Sequence, residues 1–196
     1  TSIYWLPILR VLKPHFDIWV ANPLFIKQMP GRKSDQRDAE WIAELLLNYY
    51  IKKSFIPDEI TQELRLYERR YVDLRRKILR VITQMDGQLQ RCNIRIGNYV
   101  TNLKRSKSYE KVVALILTGE TSADKLLACI HGRTRNKYGA QTIRAALSGV
   151  MRGSDLHVLR QMGQEKEFIA KQMEECVGYM EELANAYFHQ AYELLQ

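Results

Sequence analysis

Cysteine and histidine are scarce, with three cysteines (Cys92, Cys129, Cys176) and four histidines (His15, His131, His157, His189) among 196 residues. The cysteines are an odd set, widely spaced, with no Cys-x-x-Cys and no histidine at ligand spacing, so neither a disulfide framework nor a zinc site is indicated. No motif pairs any histidine with a nucleophile or a metal partner, and all four read as structural or solvated. Long apolar runs are missing too. The best, Val112 to Leu117, is far shorter than the roughly 20 residues a spanning helix needs, and no charged-then-apolar leader is present. The expected setting is therefore soluble and cytoplasmic, with reduced thiols and no membrane partner. Acidic residues are outnumbered, 22 against 30 Lys and Arg, which gives a net charge of +8 and a pI near 9.4. A hydrophobic share of 46% can support a core in one or two domains, so disorder is not indicated.

The positive balance favours an anionic partner but does not separate DNA from RNA or a membrane surface. Its distribution says more. Arg65, Arg69, Arg70, Arg75, Arg76, Lys77 and Arg80 crowd one stretch against only Glu68 and Asp73. Lys104, Arg105, Lys107 and Lys111 form a second cluster, and Arg133, Arg135 and Lys137 a third. Such side chains neutralise phosphates and release counterions, which gives salt-dependent affinity with little sequence preference; the alternative is a solvated helix face.

The most informative stretch is Gly31-Arg32-Lys33-Ser34-Asp35-Gln36-Arg37-Asp38-Ala39-Glu40-Trp41-Ile42-Ala43. Pro30-Gly31 sets a turn, Ser34 is a plausible N-cap, and Trp41, Ile42, Leu45, Leu46 and Tyr49 follow at helical spacing. Asp35 and Asp38 should therefore share one face of a first helical turn. Clustered carboxylates on a rigid element suit a hard divalent cation, although acidic residues are favoured in any first turn by the helix dipole. Arg32 and Lys33, just ahead, can meet phosphate or stay solvated.

The order of the flanking pieces resembles one family. Ile3-Tyr4-Trp5-x-Pro7, Val20-Ala21-Asn22-Pro23, the Gly-Arg-Lys-Ser-Asp-x-x-Asp block, Ser54-Phe55-Ile56-Pro57 and Glu63-Leu64-Arg65 are similar to a DEDD-type insertion-sequence transposase of the bridge-RNA-guided class. Leu117-Thr118-Gly119-Glu120-Thr121-Ser122 and Gly132-Arg133-x-Arg135-x-Lys137 extend the likeness over essentially the whole chain. The resemblance implies an RNase H-like (RuvC-like) domain in which four acidic residues bind divalent metal, Mg²⁺. Asp35 and Asp38 map onto the third and fourth, as catalytic and metal-ligating residues. The family's second acid precedes the motif matched by Thr1 to Trp5, so it is expected just upstream, with the first acid further upstream still. The domain carrying the family's serine nucleophile is expected beyond Gln196. Ser2 replaces the usual glycine. By this likeness the partners are DNA and a guide RNA.

Along the chain, Tyr4 to Leu12 reads as a helix, since Pro7 is tolerated in a first turn. Phe16 to Ala21 reads as a buried strand, Lys27 to Lys33 as a loop, and Ser54 to Ile56 as an edge strand. A heptad run follows: Ile60, Leu64, Tyr67, Tyr71, Leu74, Ile78, Val81 and Met85 alternate steps of four and three, the seam of a coiled coil. From Asp58 to Cys92 such a helix reaches roughly 50 Å and needs a partner. Leu159, Met162, Ile169, Met173, Cys176, Met180, Leu183, Tyr187 and Leu194 keep the same alternation, with Lys166 and Gln190 as weak points. The first helix is basic and the second acidic, so antiparallel pairing is expected, within a protomer or exchanged across a homodimer or larger assembly. Between them, Tyr109 to Leu117, Ser122 to His131 and Gln141 to Leu147 read as short helices, broken at Gly119, Gly132, Gly139 and Gly149.

The expected fold is mainly α, with a small truncated α/β (RNase H-like, RuvC-like) portion and long antiparallel coiled-coil helices. Four regions are expected: residues 1–57 as the C-terminal part of the DEDD domain, 58–95 as a basic coiled-coil helix, 96–153 as a small helical lobe, and 154–196 as an acidic coiled-coil helix. Functionally the chain reads as a piece of a DNA transposase or recombinase, catalytically incomplete alone. The alternatives are a non-catalytic nucleic-acid-binding and dimerisation module, or a structural helical assembly factor.

Overall fold

The computed structural model of the protein describes residues 4–28 and 35–189, with side chains from Asp38 onward in the second stretch. The Pro30-Gly31 turn, Arg32, Lys33, the Ser34 cap and Leu194 lie outside the described residues, as does the side chain of Asp35. The chain is mainly α-helical and divides into two compact units, Thr1–Glu59 and Ile60–Gln196. No helix among the described residues is long and apolar enough to cross a membrane.

The first unit holds α1 (Trp5–Leu12), α2 (Pro23–Lys27) and α3 (Asp35–Leu47). Asn22 starts α2, its side chain accepting the Leu24 N–H at 3.0 Å, with Pro23 in the first turn where its missing N–H costs nothing. The strands expected at Phe16–Ala21 and Ser54–Ile56 do not form. The two segments meet in a single antiparallel bridge, Ala21 to Lys53, with the Ser54 N–H donating to the Val20 carbonyl at 2.7 Å. A strand persists only when a ladder satisfies its backbone groups, and one bridge is no ladder. Leu9 and Ile51 are buried, whereas Phe16, Leu24, Phe25, Tyr49, Tyr50 and Phe55 are exposed, so the described residues of this unit form little core.

In the second unit, α4 (Glu59–Arg91) and α9 (Gly153–Tyr187) run antiparallel, residue numbers rising along one as they fall along the other. Tyr67 stacks on Tyr179 with ring centroids 5.2 Å apart, Arg70 donates to the Gln172 side chain at 3.2 Å, and Gln88 donates to Asp155 at 3.1 Å. Burial along α4 follows the heptad positions. Leu74, Ile78, Val81 and Met85 are buried, and Ile60, Leu64, Tyr67 and Tyr71 are half-buried. Toward its end α4 is also buried at Ile82, Asp86 and Leu89; Ile82 shares a cavity wall with Leu103, Tyr109 and Val113 of the lobe, and Asp86 lies near Tyr109. The expected charge pairing between the long helices is not how they meet: among the described residues no ion pair joins them, and the carboxylate nearest Arg70 and Lys77 is Asp73 on their own helix.

The lobe comprises a short 3₁₀ turn (Ile96–Tyr99), α5 (Lys107–Leu117), α6 (Ala123–Ala128), α7 (Gly132–Tyr138) and α8 (Ala140–Leu147). Ser106 caps α5 by accepting the Tyr109 N–H at 3.1 Å, and Gly119, at φ 98°, ends the helix in a conformation that favours glycine. Gly132 does not break the lobe; it opens α7, because the His131 Nδ1 accepts the Arg133 N–H at 3.2 Å and supplies the cap. Arg144 clamps Asp124 through two hydrogen bonds, 2.5 and 3.0 Å, tying α8 to α6. Arg160 of α9 donates to the Leu117 carbonyl at 2.9 Å, satisfying the end of α5.

One buried charge sits in this core. Asp86 is 7% exposed; Gln90 donates to its Oδ2 at 2.6 Å, while Oδ1 and the nearby buried Tyr109 hydroxyl have no hydrogen-bond partner among the described residues. Burial raises the Asp86 carboxyl above its ordinary range, outweighing the Gln90 hydrogen bond. The native state thus binds this proton more tightly than the unfolded chain does. The associated stability is complete below the ordinary carboxylate range and is lost as pH rises through the raised value. Asp86→Asn is expected to flatten that acid-side dependence and to stabilise the protein at neutral pH by about 1 kcal/mol, measured by urea melts at pH 4 and pH 7.5.

Candidate nucleic-acid interface

All seven basic residues of the first cluster, Arg65, Arg69, Arg70, Arg75, Arg76, Lys77 and Arg80, are exposed on α4. Arg70 and Lys77 lie 3.6 and 3.0 Å from Asp73, and the Lys77 hydrogen bond holds the Asp73 carboxyl below the usual carboxylate range. The other five join no ion pair among the described residues. Arg65, Arg69, Arg76 and Arg80 are spaced by four, seven and four residues, so helical periodicity sets them on one face. The heptad seam, half a turn away, is the packed face. The stripe extends about 22 Å along the helix, and a straight run of unneutralised guanidinium groups of that length suits a line of phosphates.

The two aspartates are placed differently. Asp35 is the first residue of α3, and Asp38 is half-buried in the same first turn. Among the described residues no group of three or more His, Cys, Asp or Glu is gathered closely enough to hold a metal ion. Asp38 and its described neighbours therefore do not constitute a metal site by themselves. Members of the second and third basic clusters, far apart in sequence, are brought together: Arg105, Lys107 and Lys111 line the same groove as Arg133, while Lys104, Arg135 and Lys137 lie outside its lining. Sequence reading treated them as separate features.

Residues 1–94 match the family model of the IS110-type DEDD transposases, described as transposase. The matched span takes in the acidic block at the start of α3 and the whole arginine stripe of α4, and stops before the lobe. Neither the curated proteins nor the solved structures gave a match.

Proposed function

We propose that this chain is the DNA-gripping part of a DEDD transposase, with the exposed arginine stripe of α4 lying along a phosphate backbone. The stripe carries the reading: Arg65, Arg69, Arg76 and Arg80 stand on the solvent face of a helix whose opposite face is packed, with no carboxylate partner among the described residues. The transposase match over residues 1–94 supports DNA as the anion.

Within this reading, Asp35 and Asp38 contribute two oxygen ligands to a divalent-metal site, Mg²⁺ by its oxygen chemistry, on an RNase H-like domain completed by carboxylates from another segment. The exposed apolar side chains of the first unit are consistent with such completion. Arg32 and Lys33 approach phosphate beside that site. A guide RNA and a second copy of the chain complete the assembly. The residues in hand bind and orient nucleic acid; cleavage requires the full carboxylate set around the metal. A second reading, a non-catalytic nucleic-acid-binding and dimerisation module, draws on the same arginine stripe and on the two long antiparallel helices.

Fluorescence anisotropy with labelled duplex DNA tests the stripe. Arg69→Glu with Arg76→Glu is expected to weaken binding about tenfold or more near 0.1 M salt, and to lower the slope of log affinity against log salt by about two. Affinity that stays flat across salt, in wild type or variant, removes the phosphate-binding role from α4.

A further inference from the structure

The lobe carries its own cationic groove, outside the span that the transposase family matches. Its cavity of about 660 Å³ lies between the first turn of α5 and the loop that starts α7. Arg105, Lys107, Lys111 and Arg133 line it, all are exposed, none joins an ion pair among the described residues, and no aspartate or glutamate is in the lining. Neutral donors, Asn102 and Thr134 among them, share its wall. The two sides are fastened together: the His131 N–H donates at 3.0 Å to the Oγ of buried Ser108. The groove is therefore shaped by the fold and does not depend on flexible arms closing around a ligand.

The contrast with the rest of the lobe is informative. Elsewhere in the lobe Lys125 pairs with Glu120 and Arg144 with Asp124, and Lys137 sits over the Tyr138 ring. At this groove four cations share one wall with no acid in the lining, an arrangement that self-repulsion disfavours unless an anion fills it. The open shape fits an extended polyanion better than an enclosed small ligand. Cationic side chains with hydroxyl and amide donors are the chemistry used to hold a phosphodiester backbone.

We propose that this groove is a second phosphate-binding surface, occupied by the sugar-phosphate backbone of a nucleic-acid strand and separate from the α4 stripe. It rests on the nucleic-acid reading above only for the class of its occupant. The test uses the full chain, a labelled duplex DNA and a labelled RNA hairpin of equal charge. Three variants are compared: Arg105→Glu/Lys111→Glu/Arg133→Glu in the groove, the conservative Arg105→Lys/Lys111→Arg/Arg133→Lys, and a charge-matched control, Lys13→Glu/Arg91→Glu/Lys171→Glu, at exposed positions outside it.

The groove reversal is expected to weaken at least one ligand fivefold or more and to lower its salt slope by about two to three. The conservative variant should keep wild-type affinity, and the control should lose less than twofold. Greater loss on the hairpin assigns the groove to RNA, and greater loss on the duplex to DNA. Equal loss in groove variant and control reduces the effect to net charge and overturns the proposal. So does unchanged binding of both ligands by the groove variant while the α4 reversal still weakens them, a result that leaves the α4 reading standing. Failure of the wild type to bind either ligand overturns both.

Discussion

Gly149→Ala is expected to unfold the second unit roughly 10 °C below the wild type in a thermal melt, a loss of about 3 kcal/mol. A Cβ at this position falls 2.1 Å from the Cys92 carbonyl oxygen, 2.5 Å from Ile94 Cγ1 and 3.0 Å from the Asn93 carbonyl carbon. Two of these are main-chain atoms that cannot swing away. They are held by the hydrogen bonds that join the end of α4 to the end of the lobe: Val150 N–H to the Cys92 carbonyl at 2.9 Å, and Arg95 N–H to the Ala146 carbonyl at 2.8 Å. Ile94 is fully buried. Relief thus requires breaking the Val150 hydrogen bond or shifting a core side chain, and overpacking of this kind is among the costlier single changes. Gly87, where an added Cβ meets nothing within 4 Å, provides the contrast. Gly87→Ala should raise stability slightly, since alanine is the better helix former. If Gly149→Ala melts with the wild type, the main-chain approach described here is wrong.

Leu89→Ala should cost about 3 kcal/mol in chemical denaturation, because the side chain is fully buried between α4 and the lobe and its removal leaves a cavity there. Leu66, on the same helix and 65% exposed, is the internal control: Leu66→Ala should change stability by less than about 0.5 kcal/mol. Equal effects at the two positions would mean that the lobe does not cover α4 as described.

The long helices were legible because their apolar residues keep one period over many turns, and burial along α4 follows that period up to Met85. The burial of Ile82, Asp86 and Leu89 is not legible from the heptad, since they fall beside it. Asp86 in particular offers no local sign that its carboxyl will lose water. At Phe16 to Ala21 no strand forms, because an apolar run becomes a strand only where a neighbour supplies the ladder, and here the neighbour contributes one bridge. Helix α7 was missed for the opposite reason. Gly132 is a breaker by composition, but a preceding histidine caps the turn, a role that local rules assign to Ser, Thr, Asp or Asn. At the candidate interfaces, the arginine stripe could be found from spacing on one helix. The lobe groove could not, because its cations come from segments joined by the Ser108–His131 hydrogen bond, which spacing does not encode.

The paired main-chain bonds at Cys92–Val150 and Arg95–Ala146 close the lobe at its neck. A lobe tied at both strands of its neck turns with the shaft that carries it, as a caliper jaw does, and does not trail as a pendant loop. A nucleic acid held at both proposed surfaces would then be selected by the spacing of its phosphates, a ruler written into backbone geometry and indifferent to base identity.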